Sequence, residues 1–440
     1  MKNKNKQILG WCFYDFANSS FTTIIVTFIY SAFFADYIAG DSALGQIYWG
    51  NAVTICAIII AFLSPIMGAI ADQGGYRKTF LLYWTVICIV FTFLLYFPLK
   101  GDVFLALFIF IIANVAFEMG CVFCNSYVPI LTNNTNTGKI SGFGYSFGYL
   151  GGLLALALGL VTIALPETPI FGISKDFGQN YRSMNLLVAI WFLVFSIPTF
   201  LWLEKDTKKN KINTDLIKNS FNQIKNTFSD IRQYKNTVRF LIARLFYNDA
   251  LITIFSFGGI IANGVYGFGL EKMLIFGIIL GVSAGLGSFI MGYIDDYIGP
   301  KKMIQISNFL LLLATLIVVF APNLPIIKIE IFNLSLNSES YFWIAGVLVG
   351  FASGPNQSSS RSLMSKLCPK GKENEFFGFF AFSGKITAFL GPFLLAQVTL
   401  LCLKYFNLSS VEAQRYGVSV VLLLLVIGSI NLHFVKENDA

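Results

Sequence analysis

The sequence predicts an all-α integral membrane protein, with twelve transmembrane helices in two six-helix bundles related by a pseudo-two-fold axis. Three observations carry this. Of 440 residues, 56% are hydrophobic and only 12% charged, with a mean hydropathy of +0.69, whereas a soluble chain has about 25% charged residues. Twelve apolar stretches are each near the roughly 20 residues that cross a bilayer's hydrocarbon. One charged turn motif occurs twice, once in each half of the chain.

In order, the stretches are about 9–38, 48–71, 79–98, 103–129, 140–165, 183–203, 237–264, 272–294, 303–322, 342–364, 375–402 and 415–434. Backbone groups in lipid find no water, so each should be a helix. None shows the ten-residue alternation of barrel strands. Lys2, Lys4 and Lys6 precede the first stretch, which is too long for a signal-peptide core, so no cleavable signal is expected. With the N-terminus inside, cytoplasmic segments hold 21 Lys and Arg and the opposite face 7, and Arg244, Arg361 and Lys385 lie within spans. Positive charge favours the inner side. Both termini are therefore expected in the cytoplasm and the protein in the cytoplasmic (inner) membrane. The net charge of +8 then reflects topology and contact with anionic lipid rather than nucleic acid.

The predicted organisation is an N-terminal bundle (1–203), a cytoplasmic linker (204–236) and a C-terminal bundle (237–440). In the linker, Leu216, Ile217, Phe221, Ile224, Phe228 and Ile231 recur near helical spacing. An amphipathic helix on the membrane surface fits this, as does a simple tether. The seven cysteines lie in or beside apolar segments and His433 is the only histidine. Neither a disulfide framework nor a histidine-based metal or catalytic site is expected. No nucleotide-binding loop is present, so drive by ATP is not expected.

The repeated motif follows spans 2 and 8. GAIADQGGYRK (68–78) matches GYIDDYIGPKK (292–302), pairing Gly68, Asp72, Gly75, Arg77 and Lys78 with Gly292, Asp296, Gly299, Lys301 and Lys302. The glycines permit close packing and a tight turn. The acid can face a neighbouring helix N-terminus, whose partial positive charge favours it. The FYD of span 1 (13–15) is echoed by FYND (246–249) in span 7, so the two halves look duplicated.

The paired motif, the twelve spans and the central linker resemble the major facilitator superfamily. YDFANSSF (14–21), AFE (116–118) with NSYVPIL (125–131), SGFGYSFGYLGG (141–152), SRSLMSKLCPKGKENEFFGFF (360–380) and SGKITAFLGP (383–392) resemble its vacuole-effluxer-like branch. Fungal members of that branch export amino acids from the vacuole. The resemblance implies a transporter in which spans 1, 4, 7 and 10 surround a central cavity, with gating by the motif residues. The first basic residue of the motif falls one place late here, after Tyr76.

Polar residues form one-face stripes on the same spans. They are Asp15, Asn18, Ser19 and Thr22 on span 1; Asn114, Glu118, Cys121 and Asn125 on span 4; and Gly354, Gln357, Ser358 and Arg361 on span 10. Span 7 adds Arg244, Asn248 and Asp249, and span 11 adds Lys385. A charge facing lipid costs about 2.5–3.5 kcal/mol, so these should line a hydrated or charge-paired interior. By depth, Asp15, Arg244 and Arg361 join Asp72, Arg77, Lys78, Asp296, Lys301 and Lys302 as gating candidates. Asn18, Glu118, Asn125, Asp249, Gln357 and Lys385 are the candidates for substrate binding or coupling, with Glu118 the leading proton carrier. The expected function is secondary transport of a small polar or zwitterionic solute, such as an amino acid, by alternating access with proton coupling. A lipid or amphiphile flippase on the same fold is the alternative. No enzymatic activity, cofactor or metal is expected beyond a coupling proton. The expected partners are substrate and membrane lipid, with the protein a monomer.

Overall fold

Helices replace every predicted stretch. The computed structural model describes residues 2–206, 210, 213–229, 233–325, 327–329 and 334–437. Span 1 begins as α1 (Lys2–Ser20) and continues through π-helical turns at Phe21–Phe28 and Phe34–Ile38 on either side of α2 (Tyr30–Phe33). Spans 2 and 3 are α3 (Ser42–Gly74) and α4 (Arg77–Leu94). Span 4 is α5 (Val103–Asn125) with the short α6 (Val128–Leu131) after it. Spans 5 and 6 are α7 (Thr137–Gly159) and α8 (Gln179–Trp202). The linker carries α9 (Thr214–Ser229). The second half holds α10 (Lys235–Gly264), α11 (Leu270–Ile298), α12 (Pro300–Phe320) and α13 (Ser338–Leu367). Span 11 is split into α14 (Glu373–Lys385) and α15 (Leu390–Tyr405), and span 12 into α16 (Ser410–Gly417) and α17 (Ser419–His433).

Among the described residues, eleven helical passages are long and apolar enough to cross a membrane on composition alone. The protein is a multi-pass, all-helical membrane protein. The remaining passage is α13, and it shows why composition understates it. Its Ser353, Asn356, Ser358, Ser359, Ser360, Arg361 and Ser362 are at most 2% exposed. The helix packs on α11 and α12, so protein rather than lipid surrounds these groups. Asn356 donates to Asn308 Oδ1 at 2.7 Å, Asn308 donates to Ser429 Oγ at 3.1 Å, and the Tyr247 and Ser360 hydroxyls pair at 2.8 Å.

A small departure from the helical reading lies between spans 9 and 10. There β1 (Ile327–Ile329) pairs antiparallel with β2 (Leu334–Leu336). Both strands are apolar in sequence and three residues long, too brief to register as a span.

Two compact units emerge from the packing. One comprises 1–133, 143–230 and 368–382; the other comprises 134–142, 231–367 and 383–440. In the first, α9 packs on α3. Leu216 and Ser220 are buried, while Ile217 and Phe221 are 39% and 51% exposed. The helix thus has one face on protein and an apolar edge turned outward. Ile231 and the Phe228 side chain lie outside the described residues.

The glycines of α7 serve close packing against span 1. A Cβ at Gly151 would collide with the Phe16 carbonyl oxygen, and one at Gly148 would lie 2.8 Å from Ser19 Oγ. Gly151→Leu should destabilise the protein by roughly 1–3 kcal/mol or more, the range for overpacking. Thermal unfolding in detergent will show this as a lowered midpoint, and an unchanged midpoint would mean that the contact is slack.

Candidate functional site

The two copies of the turn motif build the same device, each inside its own unit. The second glycine of each copy has positive φ, +70° at Gly75 and +90° at Gly299, which a side chain would strain. The turn brings the preceding acid onto a helix N-terminus. Asp72 accepts from the Asn374 and Glu375 backbone N–H at 3.1 and 2.8 Å and from Asn374 Nδ2 at 2.7 Å. Asp296 accepts from the Gly138 and Lys139 backbone N–H at 2.6 and 2.9 Å. One acid therefore caps α14 and the other α7, where unpaired N–H groups and the helix dipole favour an anion. The first glycine makes the approach feasible. A Cβ at Gly68 would sit 2.6 Å from the Asn374 carbonyl carbon, and one at Gly292 would sit 3.1 Å from the Gly138 oxygen.

Around the cap of α14, Arg77 Nη2 bonds Glu373 Oε2 at 3.0 Å, Arg77 Nε donates to Asn374 Oδ1 at 3.3 Å, and the guanidinium lies over the Tyr127 ring at 5.4 Å. Cys368, in the turn before α14, is buried. That burial, with the Glu373 and Asp72 carboxylates nearby, pushes its thiol well above the usual range. It is a packing group rather than a reactive thiol.

Acids outside the motif complete each copy. Asp206, after span 6, accepts from the Lys78 and Thr79 backbone N–H at 3.0 and 3.2 Å. Glu437, after span 12, accepts from the Lys301 backbone N–H at 3.0 Å. Lys301 Nζ donates to the His433 and Val435 carbonyls at 2.7 Å each, while Lys302 is exposed. Arg361 is 2% exposed. It clasps the start of α7 through Ser141, with Nε to Oγ at 3.0 Å and Nη2 to the carbonyl at 2.7 Å.

A second cluster lies in unit 2, where span 11 breaks. Pro392 lacks an N–H and its ring conflicts with the carbonyl four residues earlier. The helix stops at Lys385 and resumes at Leu390. The freed end of α14 meets span 7. Asn248 Nδ2 donates to the Gly384 carbonyl at 3.1 Å, Arg244 Nη1 donates to Ser383 Oγ at 3.0 Å, and Gln357 Nε2 donates to Asn248 Oδ1 at 3.3 Å. A Cβ at Gly384 would be 2.7 Å from Arg244 Nη1, so glycine admits the cation. Asp249, next along α10, is 1% exposed, and neither of its carboxylate oxygens has a hydrogen-bond partner among the described residues. The Thr387 hydroxyl and the Arg244 guanidinium are the polar groups beside it. Lys385, at the broken end, is half-buried.

In unit 1, Asn18 Nδ2 reaches Cys121 Sγ at 3.6 Å, which joins the polar stripes of spans 1 and 4. Asp15, Glu118 and Asn125 are half-buried. Sequence reasoning missed Asp206, Glu373, Asn374, Glu437, Ser383 and Thr387. Asp206 and Glu437 had one signal available: both follow the sixth span of their half, in LEKD (203–206) and VKEN (435–438).

The chain matches the family model described as vacuole effluxer Atg22 like over residues 51–440. It is 27% identical to an uncharacterized MFS-type transporter, YxiO, of Bacillus subtilis (strain 168), covering 100% of this chain and 97% of that one. It is 23% identical to autophagy-related protein 22 of Yarrowia lipolytica, covering 83% and 72% respectively. Among solved structures, the human organic anion transporter MFSD10 (TETRAN) has a TM-score of 0.71 at 11% identity, covering 98% of this chain and 99% of that one. The proton:xylose symporter XylE has a TM-score of 0.66 at 14% identity, covering 99% and 96%.

Proposed function

Because the chain belongs to the vacuole effluxer Atg22-like family of major facilitator transporters, we propose that it moves a small polar or zwitterionic solute, such as an amino acid, by proton-coupled alternating access. That it is a transporter and not an enzyme follows from family and fold. The basic-residue asymmetry supports placing it in the cytoplasmic membrane with both termini inside.

One observation carries the choice of coupling group: Asp249 is buried without a hydrogen-bond partner at the broken end of span 11. Discontinuous helices in transporters expose backbone groups that ligands and coupling ions use. A buried carboxylate is costly as an isolated anion, so arrival of a proton changes its surroundings strongly. Asp249 therefore takes precedence over Glu118 as the proton carrier. Lys385, Gln357 and Asn248 supply cationic and amide donors for a carboxylate-bearing cargo, and Arg244, expected at a gate, joins them because it bonds Ser383 at the broken end of span 11. Within unit 1, Asn18, Glu118 and Asn125 remain the candidates for solute binding or coupling. Asp15, Arg361 and the two motifs are assigned to gating.

The flippase alternative draws on an apolar pocket in unit 2 lined by Phe257, Ile261, Phe276, Phe342 and Val418. A thermal-shift screen of the detergent-purified protein against a metabolite panel tests the cargo class. A ligand at 100 times its Kd stabilises by about 2.7 kcal/mol. Amino acids should raise the midpoint. A rise with lipids alone would favour the flippase.

A further inference from the structure

The second copy of the motif contains a carboxylate with no counterpart in the first. Asp295 aligns with Ala71 and precedes the capping Asp296. It is 1% exposed, and neither of its oxygens has a hydrogen-bond partner among the described residues. It faces the seam where the first turn of α7 meets α11. A Cβ at Gly138 would lie 2.6 Å from Asp295 Cγ and 3.0 Å from Oδ2. From α13, the Ser359 hydroxyl lies beside it; that group is fully buried and also has no hydrogen-bond partner among the described residues. The charged groups around it are Lys366 on α13, Asp296 on its own helix and Glu437 after α17. Lys139, on α7, is turned over the Tyr293 ring at 4.8 Å. No ion pair to Asp295 is present among the described residues.

We propose that Asp295 is a proton-binding site, separate from the Asp249 cluster, and that its proton keeps the start of α7 seated on α11. A carboxylate sealed from bulk solvent, packed against a glycine and a serine and in no ion pair among the described residues, is costly as an anion. The neutral acid fits that space and can donate its O–H to the Ser359 oxygen. One carboxyl and one hydroxyl offer too few oxygens to encage a metal cation, so the ligand is H⁺, taken from and returned to water. Loss of the proton places a charge in the seam and favours hydration, which unseats the α7 terminus that Asp296 caps. The start of α7 thereby senses pH without any cargo bound. The proposal does not depend on the solute or on Asp249.

Infrared difference spectroscopy of the full-length protein, between acidic and alkaline buffer, tests it. The wild type should lose a protonated-carboxyl C=O band as pH rises. Asp295→Asn, which mimics the neutral acid in shape, should lack that component. Asp249→Asn should keep it, which separates this site from the coupling site. Ser359→Ala should keep the band but shift its frequency, since the O–H loses its acceptor; this serves as the readout should Asp295→Asn fail to fold. A wild-type difference spectrum identical to that of Asp295→Asn, or a band that Ser359→Ala does not move, would overturn the proposal.

Discussion

Asp249→Asn should lower uptake driven by a pH gradient by at least about tenfold, the equivalent of ~1.4 kcal/mol, while leaving exchange of cargo across the membrane measurable. The substitution keeps the shape of a protonated carboxyl and removes the titration. Its side chain is buried beside Arg244 and Thr387 where α14 ends, so a permanently neutral group there holds one state of the cluster. Exchange needs only that cargo bind and the carrier turn over, whereas accumulation needs the proton to be loaded and released. Loss of both activities would mark Asp249 as a binding group, and loss of neither would remove it from the coupling step. Arg244→Gln is expected to act differently. It takes the nearest cation from a buried acid, a change that costs on the order of 3–5 kcal/mol where a pair is tight, and should lower the unfolding midpoint as well as transport.

The second large effect concerns the duplicated caps. Asp72→Ala deletes both acceptors that hold the Asn374 and Glu375 amides, and Asp296→Ala does the same for Gly138 and Lys139. Hydrogen bonds to a charged group contribute about 1.5–3 kcal/mol. Each substitution should therefore speed exchange at its own pair of amides by roughly 10- to 150-fold and leave the other pair nearly unchanged. Hydrogen–deuterium exchange with peptide-level readout checks this. Equal protection in mutant and wild type would mean that the caps are decorative. Acceleration at both pairs by either mutation would mean that the two copies are not independent.

What was legible in the sequence divides along physical lines. Spans depend on local hydropathy, so the helices fall where the apolar stretches lie. Even α13, too polar to qualify on composition, covers the predicted stretch 342–364. The motif acids were legible because duplication repeats them. Their partners were not, since Asp72 meets a helix end some 302 residues away and no local pattern encodes that pairing. The Gly391-Pro392 step lies within span 11, and a proline inside a helix favours a kink at its own position. The helix instead breaks upstream, at residues 386–389, because the proline ring acts on the preceding turn. That break exposes the α14 carbonyls and makes Asp249, rather than Glu118, the acid with the more unusual setting. Charge pattern alone ranked Glu118 first because it stands on a clean stripe; burial is a property of the packed fold.

The most direct measurement is flux into proteoliposomes carrying the purified protein, with an imposed pH gradient, comparing labelled amino acids with labelled phospholipid. The predicted result is amino-acid movement that follows the gradient and collapses with a protonophore, alongside no lipid transfer above that of empty vesicles. Lipid transfer without amino-acid movement, or solute flux indifferent to the gradient, would contradict it.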